Sequence, residues 1–203
     1  MQSVEVIAGL ILAAGESSRM GRDKSLLTYR GRTFLEHIID TLRQAGIERP
    51  IVVLGHHAAE IQRAADLRGA EVLLNPRYHR GQTSSLQRGL RALEGRDVEA
   101  VMLCLVDHPA ATPETVCSLI AAFRESRDAV VIPTYYDGRG HPTIIARALF
   151  AEILALSQDE GANMVVRRYR DATCEVEVND PGILIDVDDP EAYRRLRSTP
   201  GSP

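Results

Sequence analysis

The sequence lacks several features that mark common classes of protein. It contains no tryptophan, and aromatic residues make up 4% of its 203 positions, which leaves little surface for stacking on nucleic-acid bases. Its formal net charge is -4, whereas nucleic-acid binders carry a basic excess. No apolar run reaches the roughly 18 residues of a membrane-spanning helix, and the start lacks a signal-peptide pattern. We therefore expect a cytoplasmic protein with no nucleic-acid or membrane partner.

Cysteine and histidine are also too sparse and too scattered for a disulfide framework or a zinc site. The three cysteines, Cys104, Cys117 and Cys174, are odd in number and contain no C-x-x-C pair. Their apolar or amphipathic surroundings predict reduced thiols in the core. The six histidines show no zinc-ligand spacing, and the sequence has no nucleophile elbow and no glycosidase-type carboxylate pair.

The chain instead contains short apolar runs that alternate with segments of helical period. Strands are predicted at residues 6–12, 50–54, 71–74, 100–106, 129–133, 143–145, 174–178 and 183–187. Helices are predicted near residues 34–42, 58–67, 84–93, 113–123, 148–156 and 162–169, and from 190 onward. This alternation is typical of a mostly parallel sheet with helices on both faces, so the predicted fold class is α/β.

The length and the composition predict a single folded unit. Hydrophobic residues are 44% and charged residues 26% of the chain, which is enough for a sizeable core. We expect one domain over residues 1–198 and a flexible tail at 199–203. Glycines and prolines interrupt the pattern after Ile132, which predicts an insertion or a substrate lobe there.

The loop after the first predicted strand, residues 12–24, is the most informative segment and reads LAAGESSRMGRDK. A strand that ends in small residues and Gly15 leaves backbone N–H groups free to bind an anion, and Arg19 and Lys24 add positive charge. The spacing matches neither a Walker A motif nor G-x-G-x-x-G. The loop indicates a nucleotide phosphate site, although an ordinary glycine-containing connection has the same local pattern.

Acidic residues that follow predicted strands are candidate metal ligands. Asp107 comes directly after the run 101–106, and ligands of α/β sheets bind at the carboxyl ends of the strands. A second acidic cluster offers Asp186, with Asp188 as an alternative, whereas Asp189 is predicted to cap the last helix. Carboxylates beside a triphosphate suit Mg²⁺. For Asp107 taken alone, a turn-capping role remains an alternative.

Two polar loops are candidate contacts to a substrate. Residues 75–85 precede a helix whose N-terminal amides and hydroxyls are suited to a base, a ribose or a phosphate, although Thr83 or Ser84 would also cap that helix without a ligand. Residues 138–142 read GRGHP, a pattern typical of a loop that closes over a substrate, in which Arg139 or His141 would hold an anionic group.

These segments occur together, and in this order, in one family. They are LAAGESSRMGRDKSLL, NPRYHRGQTSSLQRGL, LVDHP, GRGHP, DEGAN and IDVDDPEAYRRL. Over residues 7–196 the chain resembles the MobA-like nucleotidyltransferases, and within them the molybdenum-cofactor cytidylyltransferases. The resemblance implies a Rossmann-like three-layer fold with a mostly parallel mixed sheet, of the nucleotide-diphospho-sugar transferase type. It also implies transfer of CMP from CTP to molybdopterin cofactor, with Mg²⁺ and release of pyrophosphate.

The resemblance assigns roles to single positions. Nucleotide contacts are implied for Leu12, Ala13, Ala14, Gly15, Arg19, Lys24, Asn75 and Ser84. The implied catalytic residues are Lys24, Arg19 and Asp107. Asp107 and Asp186 would hold the metal, and Gly140 and His141 would lie on the pterin side. Ala14 stands where the guanylyltransferase branch has glycine, which favours cytidine.

The chain departs from the family at two acceptor-side positions, which keeps other acceptors open. His108 stands where the family has methionine or glutamine, and Asn163 where it has arginine. The alternatives are transfer to a sugar 1-phosphate or a phospho-alcohol, GTP-dependent transfer to molybdopterin, and a non-catalytic accessory protein for a molybdenum hydroxylase. The presence of both Lys24 and Asp107 favours an enzyme, because a transferase must neutralise charge that develops on pyrophosphate.

Overall fold

A mixed sheet forms the centre of the protein. The computed structural model describes residues 7–17, 20–157 and 160–198. Within these residues the sheet has eight strands: β1 (Ile7–Ala13), β4 (Ile51–Leu54), β5 (Glu71–Leu74), β6 (Ala100–Leu105), β7 (Val130–Tyr135), β8 (Gly138–Arg139), β9 (Thr143–Ala146) and β10 (Thr173–Glu177). Two further strands, β2 (Thr28–Tyr29) and β3 (Arg32–Thr33), form a separate hairpin.

The strand order in the main sheet is β10-β7-β9-β6-β1-β4-β5, and β8 pairs with the edge of β7. The neighbours β5, β4, β1 and β6 are parallel, and β9 is antiparallel to both β6 and β7. All seven residues of β1 are buried, as expected for a central strand that is covered on both faces. The carboxyl ends of β1 and β6 therefore meet at one edge of the sheet.

Helices cover both faces of the sheet. They are α1 (Phe34–Gln44), α2 (Ala58–Ala64), α3 (Gln82–Ala92), α4 (Pro113–Ser126), α5 (Phe150–Ala155), α6 (Ala162–Arg168) and α7 (Pro190–Ser198). Leu42 of α1 and Leu119 of α4 belong to the core on one face, whereas Leu90 of α3 and Ile153 of α5 belong to the core on the other. This three-layer arrangement confirms the predicted α/β, Rossmann-like fold.

A third, smaller apolar cluster connects residues 187–196 to the hairpin β2–β3 and the start of α1. It contains Leu27, Tyr29, Phe34, Ala110, Val187 and Leu196. The backbone N–H of Val187 also donates to the carbonyl of Asp107 (2.9 Å). These contacts bring the acidic segment 186–189 to the carboxyl end of β6.

Side chains cap two helices, and the predicted cap of the last helix by Asp189 is confirmed. Thr33 Oγ1 accepts from the backbone N–H of Glu36 (3.2 Å), and the Glu36 carboxylate accepts from the backbone N–H of Thr33 (2.9 Å), so α1 begins with a capping box. At the start of α7, Asp189 Oδ1 accepts from the N–H groups of Glu191 and Ala192. At the start of α7 the local sequence pattern was enough to predict the cap.

The predicted strand at 183–187 is wrong. The chain forms a 3₁₀ turn over Pro181–Leu184, which begins where Asp180 Oδ1 accepts from the N–H of Gly182 (2.9 Å). The N–H of Val187 then bonds to Asp107 instead of to a neighbouring strand. The segment is apolar because Ile183 and Val187 are buried, and this reproduces the composition of a strand.

Three further predictions are corrected. Residues after Ile132 form no separate lobe, because β7, β8 and β9 all join the main sheet. Neither Thr83 nor Ser84 caps α3, since Gly81 precedes that helix and no side chain caps it. Of the thiols predicted in the core, Cys104 is buried but Cys117 is exposed.

The predicted tail, residues 199–203, lies outside the described residues. Among the helices that the structure describes, none is both long and apolar enough to span a membrane.

Candidate active site

A cavity of about 520 Å³ opens where β1 and β6 end. We call it the first-loop cavity. Its walls include Leu12, Ala13, Ala14, Gly15, Lys24, Ser85, Asp107 and Asp188. Four of the predicted nucleotide contacts, residues 12–15, therefore lie side by side on one wall. Arg19, predicted to bind the triphosphate, lies outside the described residues.

Lys24 is the only lysine in the sequence, and it is held at the base of the first-loop cavity with 9% of its surface exposed. Its backbone N–H donates to Ser17 Oγ (3.0 Å), which closes the loop. Its Nζ donates to Asp107 Oδ2 (3.3 Å) and to Asp188 Oδ1 (2.5 Å). These contacts join three parts of the chain, and they give the site a buried ammonium group between two carboxylates.

Asp107 and Asp186, the predicted metal ligands, lie together with His108. One ligand atom of each of these three residues lies within 4.8 Å of those of the other two. Burial and the neighbouring Asp107 carboxylate raise the pKa of Asp186. A cation beside these carboxylates would offset their repulsion, and oxygen ligands of this kind suit a hard divalent ion. The donor set therefore fits a divalent metal.

The predicted nucleotide contacts Asn75 and Ser84 lie outside the lining of the first-loop cavity. Asn75 is buried, and its Nδ2 donates to Ser84 Oγ (3.0 Å) and Ser85 Oγ (3.0 Å), while its Oδ1 accepts from the N–H of Arg77 (3.0 Å). This network fixes the loop before α3. Ser85 reaches the cavity wall from the same network.

Gly140 and His141, the predicted acceptor-side residues, line a second cavity of about 430 Å³, which we call the His141 cavity. It shares Leu12, Gln82 and Leu105 with the first-loop cavity. The two cavities are therefore neighbours on either side of a common wall.

The backbone at the His141 cavity admits only glycine at one position. A Cβ atom on Gly140 would lie 2.3 Å from the carbonyl oxygen of Ile183. The N–H of His141 donates to that same carbonyl (3.1 Å), which ties the loop to the turn before the acidic segment. The sequence predicted this segment only as a loop that closes over a substrate. In the structure it packs closely against the backbone at Ile183.

Of the two side chains predicted to hold an anion here, neither presents a free positive charge near pH 7. Burial, together with the nearby His108, lowers the pKa of His141 to about 4, so its imidazole is neutral. Arg139 is paired with the Glu175 carboxylate on the surface. The His141 cavity therefore offers mainly neutral hydrogen-bonding groups and apolar walls.

The sequence analysis missed two buried polar atoms that line the first-loop cavity. Asp23 Oδ2 and Ser25 Oγ have no hydrogen-bond partner within the described part of the chain. Asp23 Oδ1 accepts from the N–H of Ser25 (2.8 Å), and Nδ1 of His57 lies 3.6 Å from Asp23 Oδ2. A polar residue on each side of Lys24 was the available signal.

Comparisons with known proteins agree with this architecture. The model of the MobA-like NTP transferase domain matches residues 9–173. A protein of Paenarthrobacter nicotinovorans named nicotine blue oxidoreductase is 30% identical over 94% of this chain and 96% of its own length. A probable molybdenum cofactor guanylyltransferase of Mycobacterium avium is 34% identical over 66% of each chain. The crystal structure of Rv0371c from Mycobacterium tuberculosis superposes with a TM-score of 0.85 at 34% identity, covering 96% of this chain and 98% of that one.

Proposed function

Because this chain belongs to the MobA-like NTP transferase family and is thereby a nucleotidyltransferase, we propose that it transfers CMP from CTP to the molybdenum-bearing molybdopterin cofactor. The observation that carries the proposal is the buried Lys24 ammonium between Asp107 and Asp188, at the end of the first loop. A neutralising cation beside free backbone N–H groups is what a triphosphate requires.

On the donor side, residues 12–15 line the base and the ribose, and Lys24 and Arg19 bind the triphosphate. In such a complex the Lys24 ammonium exchanges part of its carboxylate contacts for phosphate oxygens. Asp107 and Asp186 would hold a divalent ion such as Mg²⁺, which would neutralise charge on the phosphates. Ala14 is buried and lines the cavity, so its methyl group reduces the space beside the base and favours a pyrimidine over the larger guanine.

The acceptor phosphate occupies the side of the His141 cavity. One of its oxygens attacks the α-phosphorus of CTP, a new P–O bond forms, and the bond to the β-phosphate bridging oxygen breaks as pyrophosphate leaves. A phosphate monoester is mostly dianionic near pH 7, so the attack requires positioning and charge neutralisation more than a strong base. Neutral His141 and the close-packed Gly140 position the acceptor.

GTP is the competing donor, since relatives that match two thirds of the chain are named molybdenum cofactor guanylyltransferases. The other acceptors considered are a sugar 1-phosphate and a phospho-alcohol. A molybdenum hydroxylase is the expected recipient of the product.

The test is pyrophosphate release from each of the four NTPs with Mg²⁺, measured against molybdopterin cofactor, a sugar 1-phosphate and a phospho-alcohol. We expect turnover with CTP and the cofactor, and a CMP adduct detectable by mass spectrometry. Faster turnover with GTP would contradict the donor, and turnover with another phosphate would contradict the acceptor. CTP binding without turnover on any acceptor would favour the accessory-protein alternative.

A further inference from the structure

His108 lies in the metal-binding cluster, although its residue type departs from the family pattern. It follows Asp107 directly, and it contributes one of the three ligand atoms that lie within 4.8 Å of one another, with Asp107 and Asp186. An ion with metal–ligand bonds of about 2.1 Å holds its ligands about 3 to 4 Å apart. Small side-chain rotations are therefore enough to place the imidazole and both carboxylates around one ion.

The imidazole has a lone pair to offer. Nδ1 of His108 is buried and has no hydrogen-bond partner among the described residues. Its ring packs against that of His141, with the ring centroids 4.7 Å apart, which holds the imidazole beside the carboxylates. A buried polar nitrogen without a partner costs free energy, and a cation bound at Nδ1 would offset that cost.

The Lys24 ammonium contacts one oxygen of the Asp107 carboxylate. It donates to Asp107 Oδ2 and to Asp188 Oδ1, so it sits between those two carboxylates. Asp107 also shares the ligand group with Asp186 and His108. A carboxylate has two oxygens and Lys24 contacts Oδ2, so the same group can bind both the ammonium and a metal cation.

We propose that His108 is a third protein ligand for the divalent ion, and that it shifts the preference of the site from Mg²⁺ toward Mn²⁺ and Co²⁺. Imidazole nitrogen binds these ions better than it binds Mg²⁺, which prefers oxygen ligands. The inference deepens the proposed function by naming the metal class of the same site, and it rests on that function only for its catalytic meaning.

The experiment measures metal binding by the nucleotide-free protein. Electron spin echo spectroscopy of bound Mn²⁺ detects directly coordinated imidazole nitrogen, and calorimetry gives the affinities for Co²⁺ and Mg²⁺. We expect a nitrogen coupling in the wild type that is lost in His108→Gln. The same variant should bind Co²⁺ on the order of 10- to 100-fold more weakly, while Mg²⁺ affinity changes less than threefold, because the glutamine amide keeps an oxygen ligand.

His79→Gln is the matched control, since His79 lines the first-loop cavity outside the cluster, and it should leave the coupling and both affinities unchanged. Absence of a nitrogen coupling in the wild type, its persistence in His108→Gln, or a parallel loss of Mg²⁺ and Co²⁺ affinity would overturn the proposal. If the CTP assay failed while Co²⁺ binding still depended on His108, the proposed CTP donor would be wrong. The metal-site proposal would stand.

Discussion

The first-loop cavity and the His141 cavity share a wall but differ in the contacts that build them. The first is made of charges brought together from distant parts of the chain, with Lys24 between Asp107 and Asp188. The second has a neutral imidazole and a backbone contact too close for any side chain at Gly140. Under the proposed function, charge neutralisation belongs to the first-loop cavity and positioning of the acceptor to the His141 cavity.

The largest effect is expected when the positive charge of the first-loop cavity is removed. Lys24→Met should lower kcat by about 10²- to 10³-fold, because a preorganised cation at the leaving phosphate is lost. Pyrophosphate release measures the effect, and thermal unfolding checks that the variant folds. Since Lys24 is the only lysine, a lysine-directed reagent should modify it and inactivate the wild type, apart from the terminal amine. Protection by CTP with Mg²⁺ would be absent if the triphosphate bound elsewhere.

A second test probes the backbone packing of the His141 cavity. Gly140→Ala introduces a methyl group where no space exists, so we expect a loss of about 1–3 kcal/mol of stability, seen as a fall in Tm of several degrees. In Gly15→Ala, the matched control, the added Cβ meets no atom within 4 Å, and Tm should stay within one or two degrees of the wild type. Equal Tm values for both variants would show that the loop at Gly140 moves enough to accommodate a methyl group.

The pH dependence of stability tests the neutral state of His141. Its pKa is about 4 in the folded protein, below the ordinary value of 6.5, so the unfolded chain binds the proton more tightly. The contribution of neutral His141 to the free energy of unfolding is complete above pH 6.5 and is lost as the pH falls toward 4. His37 contributes in the same direction, because burial also lowers its pKa. His141→Gln should flatten the fall in Tm across this window, and an unchanged slope would contradict a neutral, buried imidazole.

The smallest expected effect concerns the base. Ala14→Gly removes a methyl group from the wall of the first-loop cavity and should reduce the ratio of kcat/KM for CTP over GTP by about tenfold, the scale of one methyl group in a pocket. The ratio of CTP to UTP is the internal control, since both bases are single rings, and it should change less than twofold. A constant CTP to GTP ratio would mean that Ala14 does not face the base.

Short-range signals predicted most of the elements and one wall of the site. β1 ends at Ala13, and Ala14 and Gly15, which the local pattern singled out, line the first-loop cavity. The sheet order and the antiparallel β9 were not predicted, because strand pairing joins residues far apart in sequence. The apolar residues at 183–187 were misread for a related reason, since burial against a distant segment reproduces the composition of a strand.

The α/β class, the small residues and single lysine of the first loop, and the chemical types available at the site could all be read from the amino-acid sequence. The folded chain, and no local pattern, brings Asp188 into contact with Lys24, 164 positions away in sequence. It also places His108 beside Asp107 and Asp186. The physical reason is that secondary structure follows from neighbours a few residues apart. The neutralisation of buried charge instead depends on which distant side chains the folded sheet brings within a few ångströms.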